Sequence, residues 1–266
     1  MSKLTIGHLS DMHLIGEMGA EGTMLRLKEA GGDPQGSLER CLKELAEERP
    51  DLLLITGDMC HEGTAADYDG LRETIEKHLP GVPVLASLGN HDVRDAFRKG
   101  FLGDTYGGDH PYCDMLELGG FRFISIDSAY EKKLTGNVGD DQLDWLEKAV
   151  LPHAPKGNVL LTHHPMCPEL SRSGMEMSPR LERIIRGGGF AALFNGHVHR
   201  SCVSEAAGVL HITGQSLSFD IEVRNRTCYY TTRGGYHYCT VNNDGAFFIE
   251  SRITCPKGEV FLEKQF

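Results

Sequence analysis

No stretch of this 266-residue sequence approaches the roughly 20 consecutive apolar residues that a membrane span needs. The amino end, MSKLTIGHLSDMHLIG, lacks an apolar run long enough for a signal peptide. These two absences set the expectation of a soluble, cytoplasmic protein. A Lys/Arg block is also missing, and the formal net charge is −11. That argues against a nucleic-acid partner and against binding to an anionic membrane. Eight cysteines fall at 41, 60, 113, 167, 202, 228, 239 and 255, and no two are spaced as CxxC. A thiolate zinc site is therefore not expected, and free thiols are. No internal repeat, low-complexity tract or linker interrupts the chain. The expectation is one domain over residues 1–266.

What is present is an ordinary globular composition, 40% hydrophobic and 24% charged. Short apolar, β-prone runs recur at 3–9, 51–56, 82–88, 121–126, 158–162 and 190–194. Their nearly continuous apolar character suits strands buried on both faces. Helical patterns lie between them. Leu38, Cys41, Leu42 and Leu45 form an i, i+3, i+4, i+7 stripe, with Ser37 as candidate N-cap. Residues 64–79 predict a further helix, and so does DDQLDWLEKAV, which Pro152 ends. Ser178-Pro179 reads as N-cap and first helical residue of another. Residues 14–34 are Gly-rich and read as a loop. From about 206 to 266 the pattern is β-rich, with a hairpin signal at Asn242-Asn243-Asp244-Gly245. The whole reads as an α/β sandwich with a β-rich carboxyl end.

Five of the apolar runs end in the same kind of residue. Run 3–9 leads to Asp11 and His13, and run 51–56 to Gly57-Asp58. Run 82–88 leads to Gly89-Asn90-His91-Asp92, and run 158–162 to His163-His164-Pro165. Run 190–194 leads to Gly196-His197-Val198-His199. In open α/β sheets, the carboxyl ends of strands are where sites form. Any one fragment has a bland reading as a turn, a cap or a solvated histidine. Their recurrence at one sheet edge does not.

Carboxylate oxygen, amide oxygen and imidazole nitrogen are ligands that Mn, Fe and Zn accept. The set is too large for one ion. A bridging carboxylate and two ions about 3.5–4 Å apart would use it, and such a pair clamps a phosphoryl group. Two divalent ions, two aspartates and a hydroxide leave a local charge near +1, which attracts an anionic substrate.

In order, D-x-H, G-D, G-N-H-D, H-H-P and G-H-x-H form the motif series of calcineurin-like metallophosphoesterases, and this chain resembles that superfamily. Within it, the chain resembles the bacterial cyclic-nucleotide phosphodiesterase and glycerophosphodiesterase branch. The motifs span 11–199, and weaker similarity continues through DDQLDWL, TGQSLSF and the GGY region. The resemblance implies a four-layer α/β/β/α sandwich. It implies that Asp11, His13 and His199 hold one divalent ion, that Asn90, His163 and His197 hold a second, and that Asp58 bridges them. The ions would be Mn, Fe or Zn. A hydroxide held there would attack the phosphorus of a small phosphodiester. His91 would stabilise the phosphoryl oxygens or protonate the leaving oxygen. Asp92 would either orient His91 or cap the helix starting near 93. His164 would brace the site or touch substrate, and His61 and Cys60 would line it. Ser216–Ser218 and His211 would border the pocket. Related enzymes pair through the carboxyl-terminal β region, which implies a homo-oligomer. A phosphomonoesterase or a nucleotide-sugar or lipid pyrophosphatase on the same site is the alternative activity. A catalytically silent binding protein is the alternative class.

Overall fold

The computed structural model describes residues 3–16, 19–130, 133–167, 174–255 and 258–265. Two sheets face each other. The first has five strands in the order β13-β12-β1-β2-β3: β1 (Leu4–Leu9), β2 (Leu52–Thr56), β3 (Val84–Ser87), β12 (Gly234–Val241) and β13 (Phe247–Cys255). The second has six in the order β4-β5-β6-β7-β9-β8: β4 (Asp114–Leu118), β5 (Phe121–Ser125), β6 (Asn158–Leu161), β7 (Phe190–Asn195), β8 (Cys202–Ala206) and β9 (Val209–Thr213). Strands β1, β2 and β3 run parallel, as do β5, β6, β7 and β9. Each of the six apolar runs became a strand.

The reason is visible in β2. Successive side chains point to opposite faces. Leu52 and Leu54 enter the layer between the sheets, beside Ile6, Phe123, Leu161, Phe194 and Ile212. Leu53 and Ile55 point outward, into a layer with Leu38, Leu42 and Leu45. Those leucines belong to α2 (Pro34–Glu48), which covers the first sheet with α3 (Ala65–His78) and α4 (Arg94–Gly100). The second sheet is covered by α5 (Asp140–Ala149) and α6 (Pro179–Gly187), through Leu143, Leu146, Leu181, Ile184 and Ile185. Four layers result, helix, sheet, sheet, helix. Burying each large side chain contributes about 1.5–3 kcal/mol, so the three layers of contact dominate stability.

Caps mark the helix starts. Thr64 and Asp67 form a reciprocal capping box on α3. The Ser178 hydroxyl accepts from Leu181 N on α6, with Pro179 in the first turn. The Ser37 expectation is corrected. The N-cap of α2 is Asp33, whose carboxylate accepts from Gly36 N, and Pro34 opens the helix. Ser37 is buried one turn inside.

The stretch 14–34 is also corrected. Residues 17 and 18 lie outside the described residues, but 22–29 form α1 (Gly22–Glu29). This helix packs Met24 and Leu27 against Phe219, Ile221, Tyr230 and Phe261. The last three of these side chains sit on a third sheet of β10 (Asp220–Arg224), β11 (Thr227–Thr231) and β14 (Val260–Gln265). Helix α1 and this sheet form a cap at the strand ends. The hairpin signal at 242–245 joins β12 to β13, with Gly245 N donating to Asn242 O. No disulfide joins any of the eight cysteines. Among the described residues, no helix is long and apolar enough to cross a membrane.

Candidate metal centre

The loops after β1, β2, β3, β6 and β7 meet at one edge of the sandwich. The first brings Asp11 N within 3.0 Å of Gly57 O and His13 N within 2.9 Å of Asp58 O. Five of the residues delivered there have left-handed backbone: Asp11 (φ 49°), His13 (43°), Asp58 (50°), His197 (73°) and His199 (52°). Non-glycine residues adopt this region rarely and at a cost, and such strain concentrates at functional sites. Asp11 is held hard. Ser216 and Ser218 donate hydroxyls to its carbonyl at 2.9 and 2.8 Å, and His197 N donates to its carboxylate at 3.0 Å.

Two groups of side chains converge. Asp11, His13, Asp58 and His199 bring one ligand atom each within 4.8 Å of one another, and so do His163, His164 and His197. Each group can hold an ion. Asp58 stands between them: its Oδ2 lies 3.5 Å from His13 Nε2 and 3.3 Å from His163 Nε2. His199 Nε2 lies 3.3 Å from Asp11 Oδ1 and 3.1 Å from His13 Nε2. His163 Nε2 lies 3.2 Å from His197 Nδ1.

The proton positions decide what these contacts are. His163 Nδ1 donates to the Thr56 carbonyl at 2.7 Å, and His199 Nδ1 donates to the Phe219 carbonyl at 2.9 Å. In the neutral rings both Nε2 atoms are then bare lone pairs facing carboxylate oxygens. Acceptors facing acceptors at 3.3 Å repel unless positive charge lies among them. With metal–ligand bonds of about 2.1 Å, neighbouring ligand atoms stand about 3 Å apart. The spacing suits a cation. Asn90 adds a further sign: its Oδ1 is buried and has no hydrogen-bond partner among the described residues.

The electrostatics point the same way. Burial would hold His163 neutral, yet the Asp58 and Asp11 carboxylates draw its pKa up to about 10. His199 is likewise raised against its burial by Asp11. Burial raises the Asp58 carboxyl, but His163 and His13 outweigh it and hold it well below the usual range. The site calls for positive charge at its centre. His197 is pushed down to about 3 by burial and by the neighbouring His163.

The structure gathers Asp11, His13, Asp58, His163, His197 and His199, with Asn90 and His91 in the adjoining cleft. Asp58 Oδ1 accepts from His91 N at 2.8 Å. Glycines permit the approach. A Cβ on Gly89 would lie 2.1 Å from Asp58 Oδ1, and one on Gly57 would lie 2.5 Å from His163 Nδ1.

Asp92 sits differently from both expectations. Its carboxylate accepts from Met59 N, Cys60 N, Gly89 N and the Tyr68 hydroxyl at 2.7–3.3 Å. It staples the turns of Asp58 and Asn90 together, and the N-cap of α4 is Val93. No described hydrogen bond joins it to His91. Burial and the Asp58 charge raise its pKa to about 7.

His164 joins the second group in a supporting position. Ser128 Oγ accepts from His163 N and His164 N and lies 2.9 Å from His164 Nδ1. Cys60 is buried and its thiol pushed up by burial. Ser216, Ser218 and His211 are buried rather than lining the cleft. Sequence reasoning did not find Thr56 O, Phe219 O and Ser128 Oγ as the groups that orient the histidines. Backbone carbonyls carry no residue-type signal, so only coordinates show them.

The cleft over this centre has a volume of about 630 Å³. One wall carries His13, His61, Asn90 and His91. The cap supplies the other, with Met24, Phe219, Ile221, Tyr230 and Lys264.

Comparison with known proteins agrees with this geometry. Residues 4–201 match the profile of calcineurin-like phosphoesterases. Over 228 residues the chain is 31% identical to a Rhodococcus erythropolis protein named "Probable cyclic nucleotide phosphodiesterase", covering 84% of this chain and 70% of that one. It is 30% identical over 230 residues to a "cAMP/cGMP dual specificity phosphodiesterase" of Mycobacterium tuberculosis, covering 84% and 67%. A dimetal phosphatase from Danio rerio shares the fold, with a TM-score of 0.65 at 15% identity, covering 95% of this chain and 96% of that one. The chain belongs to the calcineurin-like phosphoesterase family.

Proposed function

We propose that this protein hydrolyses small phosphodiesters, cyclic nucleotides or glycerophosphodiesters, at two divalent cations (Mn, Fe or Zn). Asp11, His13 and His199 would hold one, Asn90, His163 and His197 the other, with Asp58 shared. The observation that carries this reading is Asp58 Oδ2, within 3.5 Å of a histidine nitrogen from each group. The names of the two bacterial relatives support a diester as substrate.

When bound, the ions lower the pKa of a water and neutralise phosphoryl charge. The chain's own residues do the rest. Left-handed turns aim the ligands, and Thr56 O and Phe219 O fix the protons of His163 and His199 on Nδ1. His91 is partly exposed at the cleft, where a histidine can give a proton to a leaving oxygen. Asp92 would serve the site by holding two loops in register. Residues 1–266 would act as one unit in the cytoplasm, since 206–266 supply strands to all three sheets. Pairing of two chains through that region completes the reading, and light scattering tests it.

The deciding experiment compares bis(p-nitrophenyl) phosphate with p-nitrophenyl phosphate, then 2′,3′- and 3′,5′-cyclic nucleotides with glycerophosphodiesters, each with Mn, Fe or Zn supplied. Faster turnover of diesters is expected. A sharp monoester preference would replace this reading by a phosphomonoesterase.

A further inference from the structure

Two histidines of the cleft, His61 and His91, belong to neither metal-type group. The Nδ1 of His61 stands 3.3 Å from Nδ1 of His13, so one of the two must donate. On the other side of the His13 ring, Nε2 faces His199 Nε2 at 3.1 Å and Asp58 Oδ2 at 3.5 Å. His199 has placed its proton on Nδ1, toward the Phe219 carbonyl. A cation among these atoms requires His13 Nε2 to be bare as well. The His13 proton then belongs on Nδ1, and His61 Nδ1 is its acceptor. The His61 ring also stacks on His91, with centroids 4.5 Å apart and planes 24° apart. His91 in turn meets the His13 ring edge-on at 5.1 Å. One side chain touches both a proposed ligand and the proposed proton donor.

We propose that His61 is a positioning residue that fixes the tautomer and tilt of His13 by accepting its Nδ1–H, and holds His91 over the cleft by ring stacking. This rests on the reading of His13 as a metal ligand. Ligating histidines are usually braced by a carboxylate or carbonyl. Here a second imidazole does so, and the residue three places past Asp58 becomes a tuning point for one metal position.

Two variants separate the two contacts. His61→Phe keeps a stacking ring and removes the acceptor. His61→Asn keeps an acceptor and removes the ring. Mn²⁺ binding is read by equilibrium dialysis with elemental analysis, and turnover with bis(p-nitrophenyl) phosphate. The Phe variant should lose about 10–100-fold in affinity at one of two Mn²⁺ positions, with the other unchanged. The Asn variant should hold Mn²⁺ as the wild type does and lose about tenfold or more in kcat with little change in KM. Wild-type Mn²⁺ affinity at both positions in the Phe variant, or wild-type kcat in the Asn variant, overturns the role of His61 alone. A wild-type protein that holds no Mn²⁺ overturns the metal reading and the role of His61 with it.

Discussion

In the proposed function Asp58 joins the two groups of ligands, so its side chain would set the number of ions. Asp58→Ala should abolish binding of two ions, while Asn90→Ala should weaken mainly one. Elemental analysis of dialysed protein reads both. Two ions per chain in the Asp58 variant would contradict its bridging place. The glycines beneath it are equally restrictive. Gly57 has φ +86°, and an added Cβ would press on His163 Nδ1 and on Gly89 N at 2.7 Å. Gly57→Ala should cost about 1–2 kcal/mol in backbone strain alone and displace the His163 ring from Thr56 O. Lowered metal retention together with a lower Tm is the expected result. Retention equal to wild type would show that the loop yields without moving the ring.

At the scale of elements, the cap and the sandwich meet at Phe219. Its ring lies 4.2 Å from the His199 ring, its carbonyl takes the His199 proton, and its side chain packs on Met24 and Leu27 of α1. Phe219→Ala should destabilise by about 3 kcal/mol and raise KM, as urea unfolding and steady-state kinetics would show. An unchanged KM would mean the cap does not touch substrate. The same cap marks where sequence reading stopped. Strands β1, β2, β3, β5, β6 and β7 were legible because both of their faces are largely buried, which leaves nearly continuous apolar runs. Helix α1 was not. Only Met24 and Leu27 of its eight residues are buried, too few to make a stripe, and its packing partners lie some two hundred positions away. Strand β4 escaped for the opposite reason. It is an edge strand with three of its five residues exposed. At α2, Asp33-Pro34 carried the start signal, and the stripe beginning at Leu38 drew attention to Ser37 instead.

Across the whole molecule, two linkages to solution follow. His8, His211 and His237 lie in the interior away from the cleft, and all three are kept neutral by burial, His211 and His237 down to about pH 4. The unfolded chain protonates such rings below about pH 6.5. Between pH 6.5 and 4 these three rings therefore bind more protons in the unfolded state than in the fold, and their contribution to stability falls as pH falls, while Asp92, raised to about 7, works in the opposite direction. At pH 5 the loss is at most about 2 kcal/mol per ring. Thermal melts at pH 7 and pH 5 should show it, and His237→Gln should flatten the slope. A pH slope left unchanged by His237→Gln would contradict this. The second linkage is to metal. Ions that bind only the fold at 100-fold over Kd add about 2.7 kcal/mol. Mn²⁺ or Zn²⁺ should then raise Tm by about 5–10 °C, and a chelator should reverse it. An unshifted melt would speak against ions bound to the native state. The proposed ligands were legible because chemistry demands particular side chains just past strand ends. Their bracing was not, because it is made by carbonyls and by Asp92, whose partners come from two loops and helix α3.

The left-handed turns at Asp11, His13, Asp58, His197 and His199 have an evolutionary corollary. Each holds a residue with a Cβ where glycine would rest more easily. The ions proposed for the centre would repay that strain. A lineage freed from the need for ions would gain backbone ease by drifting at these five places, so decay to a silent scaffold runs downhill. Counting glycine and asparagine there, in relatives with and without an intact ligand set, measures that slope.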